Sequence, residues 1–109
     1  MSIVAWSAFN FAAELLAEEL DADALIILTA VEKVAINFGK PDQQWLDHLT
    51  PDEARRYAAE GQFAPGSMLP KVQAAAKFAE SKPGRTALIT LLEKAKEGIA
   101  GKTGTAVSV

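Results

Sequence analysis

The chain has 109 residues, of which 50% are hydrophobic and 23% charged, with 14 acidic against 11 basic side chains and a net charge of −3. This length and composition make one globular domain with a real core and exclude a disordered chain. The acidic balance argues against a general nucleic-acid coat, which needs a basic footprint. The absence of cysteine excludes disulfides and thiolate metal sites.

The most apolar window, Ala24-Leu25-Ile26-Ile27-Leu28, falls far short of the roughly 20 residues needed to span a bilayer. The apolar start, Met1 to Phe9, has no basic leader, so a cytoplasmic chain with no membrane and no nucleic-acid partner is expected. Asn10 can cap a helix running to about Leu20. Phe11, Leu15, Leu16 and Leu20 would lie on one side of it, and Glu14, Glu18 and Glu19 on the other. Asp21-Ala22-Asp23 breaks this helix. Ala24 to Thr29 is an unbroken apolar run, the signature of a strand buried on both faces. Val34 to Asn37 gives a shorter second strand, and Phe38-Gly39-Lys40-Pro41-Asp42 is turn chemistry.

Thr50-Pro51-Asp52-Glu53 combines a cap, a proline at the first helical position and a capping-box glutamate, and the helix it opens ends at Gly61. After the loop Phe63-Ala64-Pro65-Gly66, Ser67 is expected to cap a helix to about Ser81, with Val72, Ala75, Ala76 and Ala79 as its apolar stripe. Pro83-Gly84 stops it. Thr86 to Thr90 reads as a buried strand, Thr90-Leu91-Leu92-Glu93 as a second capping box opening a helix to about Gly98, and Thr105 to Val109 as a last strand. Strands alternating with helices predict an α/β fold, a mostly parallel sheet with flanking helices and right-handed crossovers. Ligands of such sheets sit beyond the carboxyl ends of the strands, here the loops after Thr29 and after Thr90.

One helix start stands apart. Acids are favoured near a helix N-terminus, and the Thr50 helix carries Asp52 and Glu53 there. The Ser67 helix opens Gly66-Ser67-Met68-Leu69-Pro70-Lys71, with no acid and a lysine one turn in. Free N–H groups from Gly66 to Leu69, with the Lys71 ammonium, would cradle a phosphate. The alternative is that Lys71 swings into solvent.

Leu28-Thr29-Ala30-Val31-Glu32-Lys33-Val34-Ala35-Ile36-Asn37-Phe38-Gly39-Lys40-Pro41 resembles the nucleotide-side segment of carbamate kinases, members of the amino acid kinase superfamily. Glu60 to Val72, containing Gly66-Ser67-Met68-Leu69-Pro70-Lys71, is similar to the phosphate-side loop and helix of that family. Gly101-Lys102-Thr103-Gly104-Thr105-Ala106-Val107 resembles its closing strand. The resemblance implies a carbamate-kinase-like C-terminal subdomain over residues 11–109, with residues 1–10 an unrelated or replaced segment. It further implies ATP-dependent phosphoryl transfer, the reversible reaction of carbamoyl phosphate with ADP in arginine fermentation, with Mg²⁺ accompanying ATP or ADP. By this resemblance Thr29, Ala30, Val31 and Val34 wall the adenine and ribose. Lys71 is the catalytic lysine touching the phosphates, with Gly66, Ser67 and Met68 beside it. Lysine and helix N–H groups suit phosphoryl transfer, which is mainly positioning and charge neutralisation.

The departures from the family are specific. An Asp-Lys-Asp triplet precedes the first helix in the family, and Ala8-Phe9-Asn10 stands there in this chain. Phe9 cannot neutralise a phosphate. The glycine-rich loops that hold carbamate in the family are not found in this sequence. The expectation is therefore a truncated ATP/ADP-binding subdomain, natural or engineered, that is inactive alone and binds nucleotide. It would self-associate or require a complementing lobe, because the apolar residues Ile3, Val4, Trp6, Phe9 and Phe11 and an exposed lobe interface seek a partner. The competing expectation is a non-enzymatic, self-associating α/β domain that has lost the ligand.

Other features carry less. Gly101-Lys102-Thr103 is no phosphate loop, because Lys96 stands where that motif needs glycine and the segment precedes a strand. His48 is the sole histidine and reads as a solvated loop residue rather than a metal ligand. Asp42, Asp47, Asp52 and Glu53 read as capping and solubility groups, not an acid/base pair. Phe38, Trp45 and Phe63 are expected to pack the excursion on the sheet, with Phe38 beside the base as the alternative.

Overall fold

The apolar run beginning at Ala24 becomes a strand held between two parallel neighbours. A computed structural model of the chain describes residues 3–6, 10–29, 31, 33–91, 94, 97 and 103–109. In chain order these are β1 (Ile3–Trp6), α1 (Asn10–Glu19), β2 (Ala24–Thr29), β3 (Val34–Ile36), β4 (Gln44–Leu46), β5 (His48–Leu49), α2 (Pro51–Ala59), α3 (Met68–Ser81), β6 (Thr86–Leu91) and β7 (Thr105–Val107). Among the described residues, five strands form one sheet in the order β1-β2-β6-β7-β5, and β3 and β4 form a separate antiparallel hairpin.

The sheet is mostly parallel, as the alternation of elements predicts. β2 pairs in parallel with β1, Ile3 opposite Ala24, and with β6, Ala24 opposite Thr86 and Thr29 opposite Leu91. β7 turns back antiparallel to β6, and β5 joins it in parallel. Leu25, Ile27, Ala87 and Ile89 are buried at the centre. The sequence reading assigns no element to residues 1–9, yet Ile3–Trp6 forms the edge strand. β6 runs one residue past Thr90, so Thr90 is a fully buried strand residue opposite Leu28 and not a helix cap. The helix expected from there to Gly98 lies outside the described residues.

α2 is delimited as its sequence dictates. The Thr50 hydroxyl accepts from the Glu53 N–H at 3.1 Å, and the Glu53 carboxylate accepts from the Thr50 N–H at 3.0 Å. Those hydrogen bonds hold the Glu53 carboxyl below its usual range. At the other end Gly61 takes φ 77°, its N–H reaches the Ala58 carbonyl, and the Gln62 N–H reaches the Tyr57 carbonyl. This is the double bond of a Schellman cap. α1 ends the same way on a less suitable residue. Asp21 sits at φ 52°, with Asp21 N–H on Glu18 and Ala22 N–H on Ala17. The Asp21 carboxylate is held in place by Lys82 at 3.0 Å and Arg85 at 2.8 Å, cations that keep its pKa low.

α1 presents the opposite face from the one expected. Leu15, Leu16 and Leu20 are 54%, 42% and 62% exposed, whereas Glu14 and Ala17 are fully buried against α3. The reason lies on α3. Its buried residues are Val72, Ala74, Ala75, Ala76, Phe78 and Ala79, and the four alanines among them allow close approach. Its Lys77 ammonium donates to Glu14 at 2.7 Å and to Glu18 at 2.9 Å. Glutamates at i and i+4 share one edge of a helix, so one lysine captures both.

Burial pushes the Glu14 carboxyl up to about 6, outweighing the pull of Lys77, and one of its oxygens has no partner. The folded-state value exceeds the unfolded one, near 4.5, so the folded chain takes up this proton first as pH falls. Stability therefore rises from pH 6 toward 4.5 through Glu14, and Glu14→Gln removes that component. The difference between wild type and Glu14→Gln in urea unfolding should change across this window; a pH-independent difference contradicts the assignment. Lys77→Met, which strands the buried carboxylate, should cost about 2 kcal/mol at pH 7.

Candidate functional site

A cavity of about 390 Å³ opens beyond the carboxyl end of β2. Three segments wall it. The sheet end contributes Thr29 and Val31, the hairpin contributes Lys33, Ala35, Phe38 and Trp45, and the α2–α3 loop with the start of α3 contributes Gln62, Phe63, Ala64, Ser67, Met68 and Lys71. The size is within the range of small-molecule pockets, roughly 300–1,000 Å³. Among its described lining residues there are two lysines and no carboxylate.

Lys71 does not swing into solvent. Its ammonium donates to the Thr29 hydroxyl at 2.8 Å, across the corner between α3 and β2. No acid occupies the first turn of α3, so the positive helix end and the lysine add rather than cancel. Ser67 departs from its expected part. It stands at the cap position with φ −139° and ψ −78°, and its side chain makes no cap bond. The Ser67 and Leu69 N–H groups both donate to the Ala64 carbonyl. That internal turn takes two of the four N–H groups expected in the cradle and leaves those of Gly66 and Met68.

The other expected residues divide. Thr29, Val31, Ser67, Met68 and Lys71 meet at the cavity. Val34 is fully buried behind its wall, its N–H on the Thr105 hydroxyl at 2.8 Å. Gly66 is exposed beside the rim, with no neighbouring atom that demands a glycine. Ala30 and Phe9 lie outside the described residues. His48 is exposed as expected, though in β5 rather than a loop, and its ring shares a 2.8 Å hydrogen bond with the Ser108 hydroxyl. Asp47 pairs with Lys33, Asp42 accepts from the Asn37 amide at 3.1 Å, and Asp52 pairs with Arg55 at 3.3 Å, all outside the cavity lining.

Two of the three aromatic residues correct the expectation of packing on the sheet. Phe63 is buried, but Phe38 is 67% and Trp45 50% exposed. They meet edge to face at 6.1 Å and form an aromatic lip on the cavity. The separate hairpin explains this. Its strands pair with each other and not with the main sheet, so these side chains have no sheet surface to cover. Sequence reasoning also missed Lys33, Ala35, Gln62 and Ala64 as lining. All four fall within the two motif segments, and that proximity was the available signal.

A mostly parallel sheet flanked by helices, with a cavity past the carboxyl end of β2, defines an α/β protein. The chain belongs to the amino acid kinase family, whose model matches residues 9–90. Over 98 residues, 90% of the chain, it is 66% identical to the carbamate kinase-like protein YqeA of Escherichia coli and 54% identical to a carbamate kinase of Clostridium perfringens. It spans 32% and 31% of their lengths. Its structure matches the carbamate kinase of Giardia lamblia bound to AMP-PNP with a TM-score of 0.84 at 39% identity, covering 91% of this chain and 31% of that one.

Among the described residues Lys71 makes one hydrogen bond, to a hydroxyl, and closes no buried ion pair. Lys71→Met should therefore cost less than about 1 kcal/mol of stability. Urea unfolding checks this, and a loss twice as large would make the lysine a structural residue.

Proposed function

We propose that this cavity binds ATP or ADP and that the chain is a nucleotide-binding subdomain of the carbamate kinase type. The observation that carries this is the Lys71 ammonium fixed on Thr29 at the mouth of a cavity whose described lining holds two cations and no anion. A polyphosphate would lie against Lys71, Ser67, Met68 and the rim at Gly66, where charge and helix dipole both favour it. The nucleoside would lie over Val31 toward the aromatic lip, with Val34 supporting the wall from behind. The AMP-PNP held by the Giardia lamblia relative supports an adenine nucleotide here.

Mg²⁺ would arrive on the phosphates. No cluster of three or more His, Asp or Glu side chains able to hold a metal occurs among the described residues, and Mg²⁺ commonly binds through substrate phosphates with several waters retained. In the full-length family the reaction joins ATP and carbamate to give ADP and carbamoyl phosphate. For this chain alone we propose little or no turnover, because Phe9 stands where the resemblance puts the lysine of the Asp-Lys-Asp triplet.

Calorimetric titration with ADP–Mg²⁺ tests the reading. Binding should weaken at least about tenfold in Lys71→Ala, the scale of one charge-assisted contact. Heat unchanged by that substitution removes the cradle. Robust ATP formation from carbamoyl phosphate and ADP would overturn the proposed inactivity.

The second reading is a self-associating domain without ligand, and the open leucine face of α1 favours it. Size-exclusion chromatography with light scattering should show association that Leu16→Glu with Leu20→Glu abolishes. A wild-type monomer would end that reading.

A further inference from the structure

We propose that Gln62 is a positioning residue that locks the β3–β4 hairpin to the loop leading into α3, so that the aromatic and cationic walls of the cavity form one unit. This rests on the nucleotide reading for its consequence in binding, but not for its geometry. The Gln62 backbone is fixed from behind. It follows Gly61 in the Schellman cap of α2, its N–H on the Tyr57 carbonyl at 3.0 Å, and the next residue, Phe63, is buried in the core. The side chain then spends both ends of its amide on one partner. Its carbonyl oxygen accepts from the Asn37 N–H at 2.8 Å, and its NH₂ donates to the Asn37 side-chain oxygen at 3.1 Å.

Asn37 is where the hairpin leaves β3, at φ 53°. Asparagine tolerates this left-handed conformation better than most residues, and the two-point bond holds it there. The remaining Asn37 N–H₂ group donates to Asp42 at 3.1 Å, across the turn. Phe38 follows directly, so the direction of the aromatic lip is set at Asn37. The other anchor of the hairpin is at its foot. The buried Thr105 hydroxyl accepts from the Val34 N–H at 2.8 Å and donates to the Leu46 carbonyl at 2.6 Å. With Gln62 removed, the hairpin keeps its foot and the buried Val34 and Ile36 side chains, while its tip beyond Asn37 loses this hold on the α3 side.

The test compares Gln62→Ala and Gln62→Glu with wild type in three measurements: affinity for ADP, affinity for inorganic tripolyphosphate, and amide exchange of residues 34–46 in the free protein. Gln62→Ala should lose about tenfold in ADP affinity, the worth of a paired hydrogen bond. Its tripolyphosphate affinity should stay at the wild-type value, because Lys71 does not move. Amides 34–46 should exchange faster while those of α2 and α3 keep their rates. Gln62→Glu keeps the acceptor for the Asn37 N–H and should fall between. Wild-type ADP affinity in Gln62→Ala, or an equal loss for ADP and tripolyphosphate, overturns the assignment. If wild type itself binds no ADP, the nucleotide reading fails, and unchanged exchange over 34–46 separately refutes the lock.

Discussion

The bond from the Lys71 ammonium to the Thr29 hydroxyl joins the two halves of the site. Thr29 ends β2, the strand paired with both β1 and β6, and Lys71 lies one turn into the helix packed over it. Each is placed by a different force. Apolar burial of Leu25, Ile26 and Ile27 sets β2. The alanine-rich face of α3 sets the distance of the helix from the sheet. The half-buried lysine is held by a neutral hydroxyl that an anion could displace at small cost, which is the property a phosphate-binding cation needs.

Around that corner the chain contrasts committed and uncommitted cations. Lys77 is committed to Glu14 and Glu18, and Arg85 to Asp21 and Ser81, with its guanidinium over the Phe78 ring. These pairs tie α1 and its end at Asp21 to the C-terminal half of α3 and the residues after it. The cost is a fully buried carboxylate with one oxygen unpartnered, and an open leucine face on the far side of α1. Lys71 is the described lining cation whose partner carries no charge, and Lys33, on the hairpin wall of the same cavity, is answered by Asp47.

What could be read in the sequence follows the locality of the forces. The limits of β2, the capping box at Thr50 and the stop at Gly61 are set by residues within a few positions of one another, and each stands where its residues put it. The cationic start of α3 was legible because a missing acid at a helix start is also local, whereas the bond of Lys71 to Thr29, 42 residues away, was not. α1 was misread because its orientation depends on Lys77, 63 residues from Glu14 along the chain. Phe38 and Trp45 were assigned to packing because nothing nearby in sequence shows that their hairpin stands apart from the main sheet. Gln62 escaped notice because a glutamine in a loop has no local signature, and its importance comes from Asn37, 25 residues away. The edge strand Ile3–Trp6 was left unassigned because the resemblance begins after it.

A heteronuclear NMR titration of the chain with ADP–Mg²⁺ asks whether a nucleotide occupies the corner between Thr29 and Lys71. Resonance shifts concentrated at Thr29, Val31, Ser67, Met68, Lys71 and the hairpin tip are predicted. A spectrum that does not move, or shifts gathered on the leucine face of α1 instead, would contradict it.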